Sequence, residues 1–550
     1  MEYYDLGPYR RAITTASAEA QTWFDRGLNW CYGYNHGEAV SCFKRALEAD
    51  ADCAMAHWGV AYALGPNYNM QWHHFDPAGK AEALAGAYDA TQKALSLAGS
   101  LSPMERALIE ALPARYPQRE PIDDQVPWNV DFANAMRMAW QTLPDDLEIG
   151  TIFSEAIMNV TPWQMWDLKT GGIAEGAGTA EVRAVLERAM ADTPGAMDHP
   201  GILHLYVHLM EMSPHPELAL KAGDRLREIA PDSGHLIHMP THIDVLCGHY
   251  RDALVYNQKA SAADRKFLER EGGMNFYTAY RIHNYHFAIY GAMFLGQYEP
   301  ALVAAEELIE TTPEALLKLP SPPMADFIES YISMKSHVYI RFGKWREIIA
   351  EPLPQDRELY CNTTAVMHYA KGVAHAALAD VESAEKERTA FLQAKAKVPE
   401  SRLLHNNTCQ DLLAIAEEML NGEIEYRKGH FDTAFEHLRR SVELDDALPY
   451  DEPWGWIQPA RHALGALLFE QGRFEEAEEV YREDLGLCGT LSRATIHPDN
   501  VWSLRGLYDC LARKGETAEA RLIKQRFDLA AARADVPVNA SCFCARVAAE

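Results

Sequence analysis

Four histidines stand in two HxxxH pairs, His204 and His208 in "HLYVHLME" (204–211) and His238 and His242 in "HLIHMPTHI" (235–243). Residues four apart project from one face of an α-helix, so each pair presents two imidazoles side by side. A spacing of 34 residues separates His204 from His238 and His208 from His242. Several imidazoles with a carboxylate are what a divalent transition metal requires, because Zn, Cu, Fe and Ni all accept neutral imidazole nitrogen. Glu211 supplies a carboxylate three residues after His208, and His283 and His286 follow on a later segment. Ten of the 22 histidines fall between His199 and His286, where even scatter would give about 3.5, so the enrichment needs a cause.

The expected ligands are His204, His208, His238, His242 and His283, with Glu155 of "FSEAIMN" as a ligand or as a partner that orients an imidazole. They would hold one ion, or two if His235, Glu155 and Glu211 also bind. Zn²⁺ in such a shell would polarise a carbonyl or activate water, with Glu211 as general base, which is hydrolase- or lyase-type chemistry on a small molecule. Cu or Fe in the same shell would support oxygen chemistry and make the chain an oxidoreductase. The alternative is a non-catalytic scaffold whose histidine-lined groove grips an acidic peptide or another protein segment.

Other residues carry weaker signals. Asp244 points about 200° away from His242 around the helix and falls outside the ligand set. His199, His215 and His249 are expected in turns as polar loop residues, Trp163 and Trp166 as packing residues, and His462 in a repeat remote from the cluster. Cys542 and Cys544, in "CFC" near the C-terminus, are expected either to fold back as thiolate ligands or to fray, and their position at the chain end favours fraying.

The elements that must position these groups are amphipathic helices of 10–16 residues separated by Gly, Pro or Asp, with no alternating strand pattern to compete. In residues 23–50, Trp23, Gly27, Trp30, Ala39, Phe43 and Ala46 occupy the consensus positions of the 34-residue tetratricopeptide hairpin. "GHYRDALVY", "GQYEPALVA", "GHFDTAFEH", "GRFEEAEEV" and "GETAEARLI" repeat a glycine turn followed by a helix. Such hairpins bury their apolar faces only against neighbours, so the chain is expected to be all-α, one continuous right-handed α-solenoid over 1–550, with 199–290 as a histidine-rich groove segment. In that register the paired histidines face an open concave groove. Long insertions at 65–80, 161–179, 264–278 and 448–459 are expected to be loops that close over something.

Composition narrows the partners. A net charge of −28 with no Lys/Arg-rich run argues against a nucleic-acid backbone or an anionic membrane, which leaves small molecules, cations and proteins. No stretch reaches 18 consecutive apolar residues and the N-terminus has no signal-peptide core, so a soluble cytoplasmic protein is expected. Ten cysteines over 550 residues do not form a secreted disulfide framework, and most are expected to be core thiols.

In "YYDLGPYRRAITTASAEAQTWFDRGLNWCYGYNHGEAV", "AHWGVAYALGPNYN", "GHLIHMPTHI", "YDEPWGWIQPARHALGALL" and "DVPVNASCFCA" the chain resembles a family of large bacterial and fungal tetratricopeptide proteins, nearly end to end. More distantly, "HMPTH" and "HNY" with the following "GQYEPAL" resemble the tetratricopeptide repeat protein 38 family, and His238, His242 and His283 match histidines of that pattern. Where that family has a further histidine two residues after the HxxxH pair, this chain has Asp244. The resemblance implies an α-solenoid and no particular reaction.

Overall fold

A computed structural model describes residues 3–545. About 67% of the chain is helical, and the strands among the described residues are two short pieces, Leu403–Leu404 and Asn407–Thr408, paired antiparallel. The fold is all-α, built from tetratricopeptide-like helical hairpins.

The hairpins close by a repeated steric device. Gly27 on helix Ala18–Tyr32 faces Phe43 on helix His36–Ala49, where a Cβ would lie 2.6 Å from the ring. Sixteen residues also separate Gly422 from Leu438 and Gly465 from Tyr481, where the same hypothetical contacts are 2.7 and 2.6 Å. A side chain on the first helix would push the second away, so the glycine lets one large apolar residue seat in the crossing. The five turn glycines, Gly248, Gly296, Gly429, Gly472 and Gly515, all adopt left-handed φ between 71° and 83°, the conformation that ends one helix and frees the chain for the next.

The described chain forms two compact units. The first comprises Met1–Ile243 with Lys259–Gly272, and the second Asp244–Gln258 with Gly273–Glu550. In the first unit the N-terminal arm is extended and tied down by polar contacts to the helices. Asp5 and Asp232 exchange backbone and side-chain hydrogen bonds of 2.8 and 2.9 Å, and the Tyr3 hydroxyl donates to Glu38 at 2.6 Å. The Tyr9 and Tyr32 hydroxyls donate to Glu148, which His199 also meets at 3.2 Å. Burial pushes the Glu148 carboxyl up, but these donors outweigh burial and hold it below its usual range.

The insertions at 65–80 and 161–179 fold inward. Tyr68 is completely buried, and its hydroxyl accepts from the Trp163 backbone at 3.2 Å. Trp166 donates from Nε1 to the Leu209 carbonyl at 2.6 Å, which satisfies a backbone acceptor in the last turn of helix Pro200–Glu211. The expected insertion at 264–278 is largely absent, because 264–271 continue the long helix Tyr250–Glu271. In the second unit the 448–459 loop buries Tyr450, Trp454 and Trp456, and Trp454 Nε1 donates to Asp445 Oδ1 at 3.0 Å.

Candidate metal centre

Helix Pro200–Glu211 begins at His199, whose Nδ1 accepts from the Ile202 backbone at 3.2 Å. His199 is therefore a fully buried helix cap bonded to Glu148, and not the polar loop residue its position suggested. "HLIHMPTHI" forms two short helices, Gly234–His238 and Pro240–Leu246. Pro240 has no N–H to donate, and the break falls there.

His204, His208 and His235 each offer a ring nitrogen within 4.8 Å of the others'. His204 and His208 sit 4.7 Å apart by ring centroid, and His204 and His235 4.9 Å. The expected pairing of His208 with His242 is present, with ring centroids 6.2 Å apart. His204 meets His235, three residues ahead of the position that repeat register suggested. His235 therefore belongs to the closest trio.

Every one of these side chains is buried, with relative exposures of 0 to 2% for His204, His208, His235, His238 and His242. This corrects the expectation of an open groove. Tyr34 covers the site from the turn after the first helix, its ring 4.6 Å from His204, 5.4 Å from His235 and 5.8 Å from His208. Tyr34 adopts a left-handed φ of 53°, and the chain passes so close to Ser233 that a Cβ at Gly33 would lie 2.5 Å from the serine hydroxyl. Tyr68 and Trp163, from the two folded-in insertions, stand 5.0 and 5.7 Å from His208.

Tautomers follow from the hydrogen bonds. His204 Nδ1 lies 2.7 Å from the Tyr32 carbonyl, which can only accept, so Nδ1 carries the proton and Nε2 keeps its lone pair. That Nε2 is buried and has no hydrogen-bond partner. His208 Nδ1 and His242 Nδ1 donate to the two oxygens of Glu211 at 2.9 and 2.8 Å, which likewise leaves Nε2 as the lone-pair nitrogen on both rings. His238 and His242 bring their Nε2 atoms to 2.8 Å, close to the roughly 3 Å between two nitrogens that share one metal at about 2.1 Å. Burial pushes His204 down to about 3. Burial, reinforced by His204, His238, His208 and His242, holds His235 well below the usual imidazole range. His204 and His235 are therefore neutral near pH 7, the form that binds metal.

Glu211, Glu155 and His283 are the other expected residues. Glu211 is fully buried with both oxygens held by imidazoles, so as placed it orients His208 and His242 and is not poised as a free general base. Glu155 is buried beside the Tyr68 backbone, and burial raises it to about 8. Among the described residues it belongs to none of the groups of three whose ligand atoms converge. His283 lies in the second unit on helix Thr278–Leu295, 5.4 Å by ring centroid from His405 and 6.1 Å from His286. His215 is exposed in a turn beside Glu217, as expected.

The "CFC" motif does not fray. Ser541–Ala545 folds onto the second unit with Cys542 and Cys544 joined in a disulfide. His462, also in that unit, donates from Nε2 to Asp484 at 3.1 Å and lies at Nδ1 3.0 Å from Arg341.

No protein-family model matches the chain, and no curated protein does. Among solved structures it is similar to an IFIT1 monomeric mutant with Gppp-AAAA at 11% identity, covering 94% of this chain and 91% of that one with a TM-score of 0.31. It is also similar to Cut9 of the APC/C Cut9–Hcn1 hetero-tetramer at 11% identity, 94% of each chain and a TM-score of 0.29. Yeast Tom70 follows at 12% identity, 92% of this chain and 98% of that one, and 0.27. Superpositions this loose transfer neither ligand nor partner.

Proposed function

We propose that the chain is a transition-metal-binding helical-repeat protein whose ion is held in the first unit by His204, His208 and His235, with His238 and His242 as a second nitrogen pair. The observation that carries this reading is His204 Nε2, a buried lone pair with no hydrogen-bond partner, on a ring whose other nitrogen is fixed by the Tyr32 carbonyl. Burying such a nitrogen costs free energy unless something binds it. A ligand histidine that passes its second N–H to a carbonyl or carboxylate is the usual arrangement around a protein-bound metal, and His204, His208 and His242 all do so.

Such an ion would supply Lewis acidity toward water or a carbonyl if Zn, or dioxygen chemistry if Cu or Fe, on a small molecule. The resemblance of "HMPTH" to the tetratricopeptide repeat protein 38 family supports His238 and His242 alone among these residues and rests on sequence alone. Calorimetric titration of chelator-stripped, untagged protein with Zn²⁺ and Cu²⁺ tests the reading. Tight uptake that His204→Ala and His235→Ala each weaken by more than about ten-fold is expected, and uptake unchanged in both variants overturns it.

A scaffold reading is favoured by a different surface. Val126, Val130 and Met138 lie exposed at four- and eight-residue spacing on helix Val126–Thr142, an apolar row suited to a protein partner. The histidine wall is too buried to grip a peptide, so a scaffold would work through faces such as this one.

A further inference from the structure

We propose that Cys542 and Cys544 form a reversible dithiol–disulfide centre that exchanges with small dithiols and latches the C-terminal strap Ser541–Ala545. The pair is the only disulfide among the described residues. Two residues apart, it closes a very short loop, and the constraint a disulfide places on the unfolded chain grows with loop length. A link that constrains so little of the unfolded chain, with one of its cysteines half-buried, suits exchange better than global stability.

The surroundings are built for a thiolate. Arg427 donates to the Cys544 carbonyl and Arg341 to the Ser541 carbonyl, so two guanidinium groups flank the loop. Nearby cations favour the thiolate form that attacks and leaves in exchange. Both cysteines border a cavity of about 30 Å³ lined also by Arg341, Glu423 and His462. Cys542 is half-buried and Cys544 buried, which sets the order of events.

A thiolate of an external dithiol attacks Cys542 Sγ, the Sγ–Sγ bond breaks, and Cys544 leaves as a thiolate that takes up a proton. The second thiolate of the same dithiol then displaces Cys542 and closes its own disulfide. The reagent loses two electrons and the pair gains them. The strap itself is held by specific contacts. The Tyr481 hydroxyl and Ser541 Oγ are 2.6 Å apart, Ser541 Oγ donates to the His462 carbonyl at 2.8 Å, and Phe543 packs so closely on Gly343 that a Cβ there would lie 2.8 Å from it. Opening the ring frees Phe543, which lies between the two cysteines, to leave that seat.

The test uses the full chain and dithiothreitol as the dithiol. Native protein, with and without reduction, is alkylated, cleared of reagent and mapped by mass spectrometry, and parallel samples are exposed briefly to chymotrypsin. The expected result is no alkyl group on Cys542 or Cys544 before reduction and one on each afterwards, while buried Cys31 and Cys510 stay unmodified. Cleavage after Phe543 should rise roughly ten-fold on reduction, since it reports local opening. A Cys542→Ser, Cys544→Ser double variant should cleave at the faster rate without reductant. Alkylation of both cysteines in untreated, air-exposed protein, resistance of the pair to dithiothreitol in the native state, or cleavage unchanged on reduction would each overturn the proposal. The wild-type alkylation pattern decides even if the double variant does not fold.

Discussion

His204 in the first unit and His462 in the second are both fully buried on helices, yet their rings end differently. His462 terminates on Asp484, which also accepts from His497 at 2.8 Å, Asn500 at 2.9 Å and Ser503 at 2.6 Å. Burial raises the Asp484 carboxyl, and its histidine partners overcome that and hold it well below the usual range. His204 has a donor contact on one side and an unpartnered lone pair on the other, facing two further imidazoles. Burial of histidine alone therefore does not mark a site. A polar network that satisfies every ring with a carboxylate is complete as it stands, whereas one that turns lone pairs toward each other calls for a cation.

The sharpest way to break this contrast is Asp484→Ala. It leaves four buried donors without their acceptor, and the urea midpoint should fall by the equivalent of roughly 3–5 kcal/mol while metal content per folded chain stays constant. A loss of metal with the fold intact would erase the distinction between the two networks.

Acid should act next most strongly on the second unit. Burial pushes His286 down to about 3 and His337 and His462 to about 4. The unfolded chain binds protons on these rings near pH 6.5 and the folded chain only below about 4, so their contribution to stability is full above 6.5 and is lost as pH falls through that window. Asp445 works in the opposite sense, since burial raises it to about 7 and its protonation relieves the fold as pH drops. His286→Phe, a ring of similar size, should flatten the slope of unfolding free energy against pH by about one proton. An unchanged slope would show that His286 titrates normally.

A smaller effect is expected at Glu211. In Glu211→Gln the amide offers one acceptor and one donor where two imidazole N–H groups need acceptors, so His208 or His242 loses its anchor. Metal affinity should fall by about 10- to 100-fold in a chelator competition, with far-ultraviolet dichroism unchanged. An affinity within about two-fold of wild type would remove Glu211 from the centre.

The fold was largely legible because its rules are local. Gly27, Phe43 and Ala39 announce a hairpin within one repeat, and each turn glycine states its own φ. The pair His204 and His208 was legible for the same reason, since i and i+4 share a helix face, whereas His238 and His242 meet across a helix break. What lay beyond reach depends on distant chain. Burial of the histidine wall is imposed by Tyr34, Tyr68 and Trp163, which arrive from a turn and two insertions with no spacing signal to link them. His199 looked like a turn residue because its partner, Glu148, is 51 positions away. The C-terminal cysteines looked frayed because Arg341 and Arg427, which hold the strap, precede it by 200 and 117 residues.

The central claim is that the inward-facing imidazoles of the first unit hold an ion. Elemental analysis of untagged protein, grown with Zn, Cu, Fe, Mn and Ni and compared with a His204→Ala, His235→Ala double variant purified alongside, tests it most directly. The account predicts roughly one transition-metal ion per wild-type chain or more, and less than about 0.1 in the folded variant. Fewer than about 0.1 ions in the wild type, or equal content in both proteins, would contradict it.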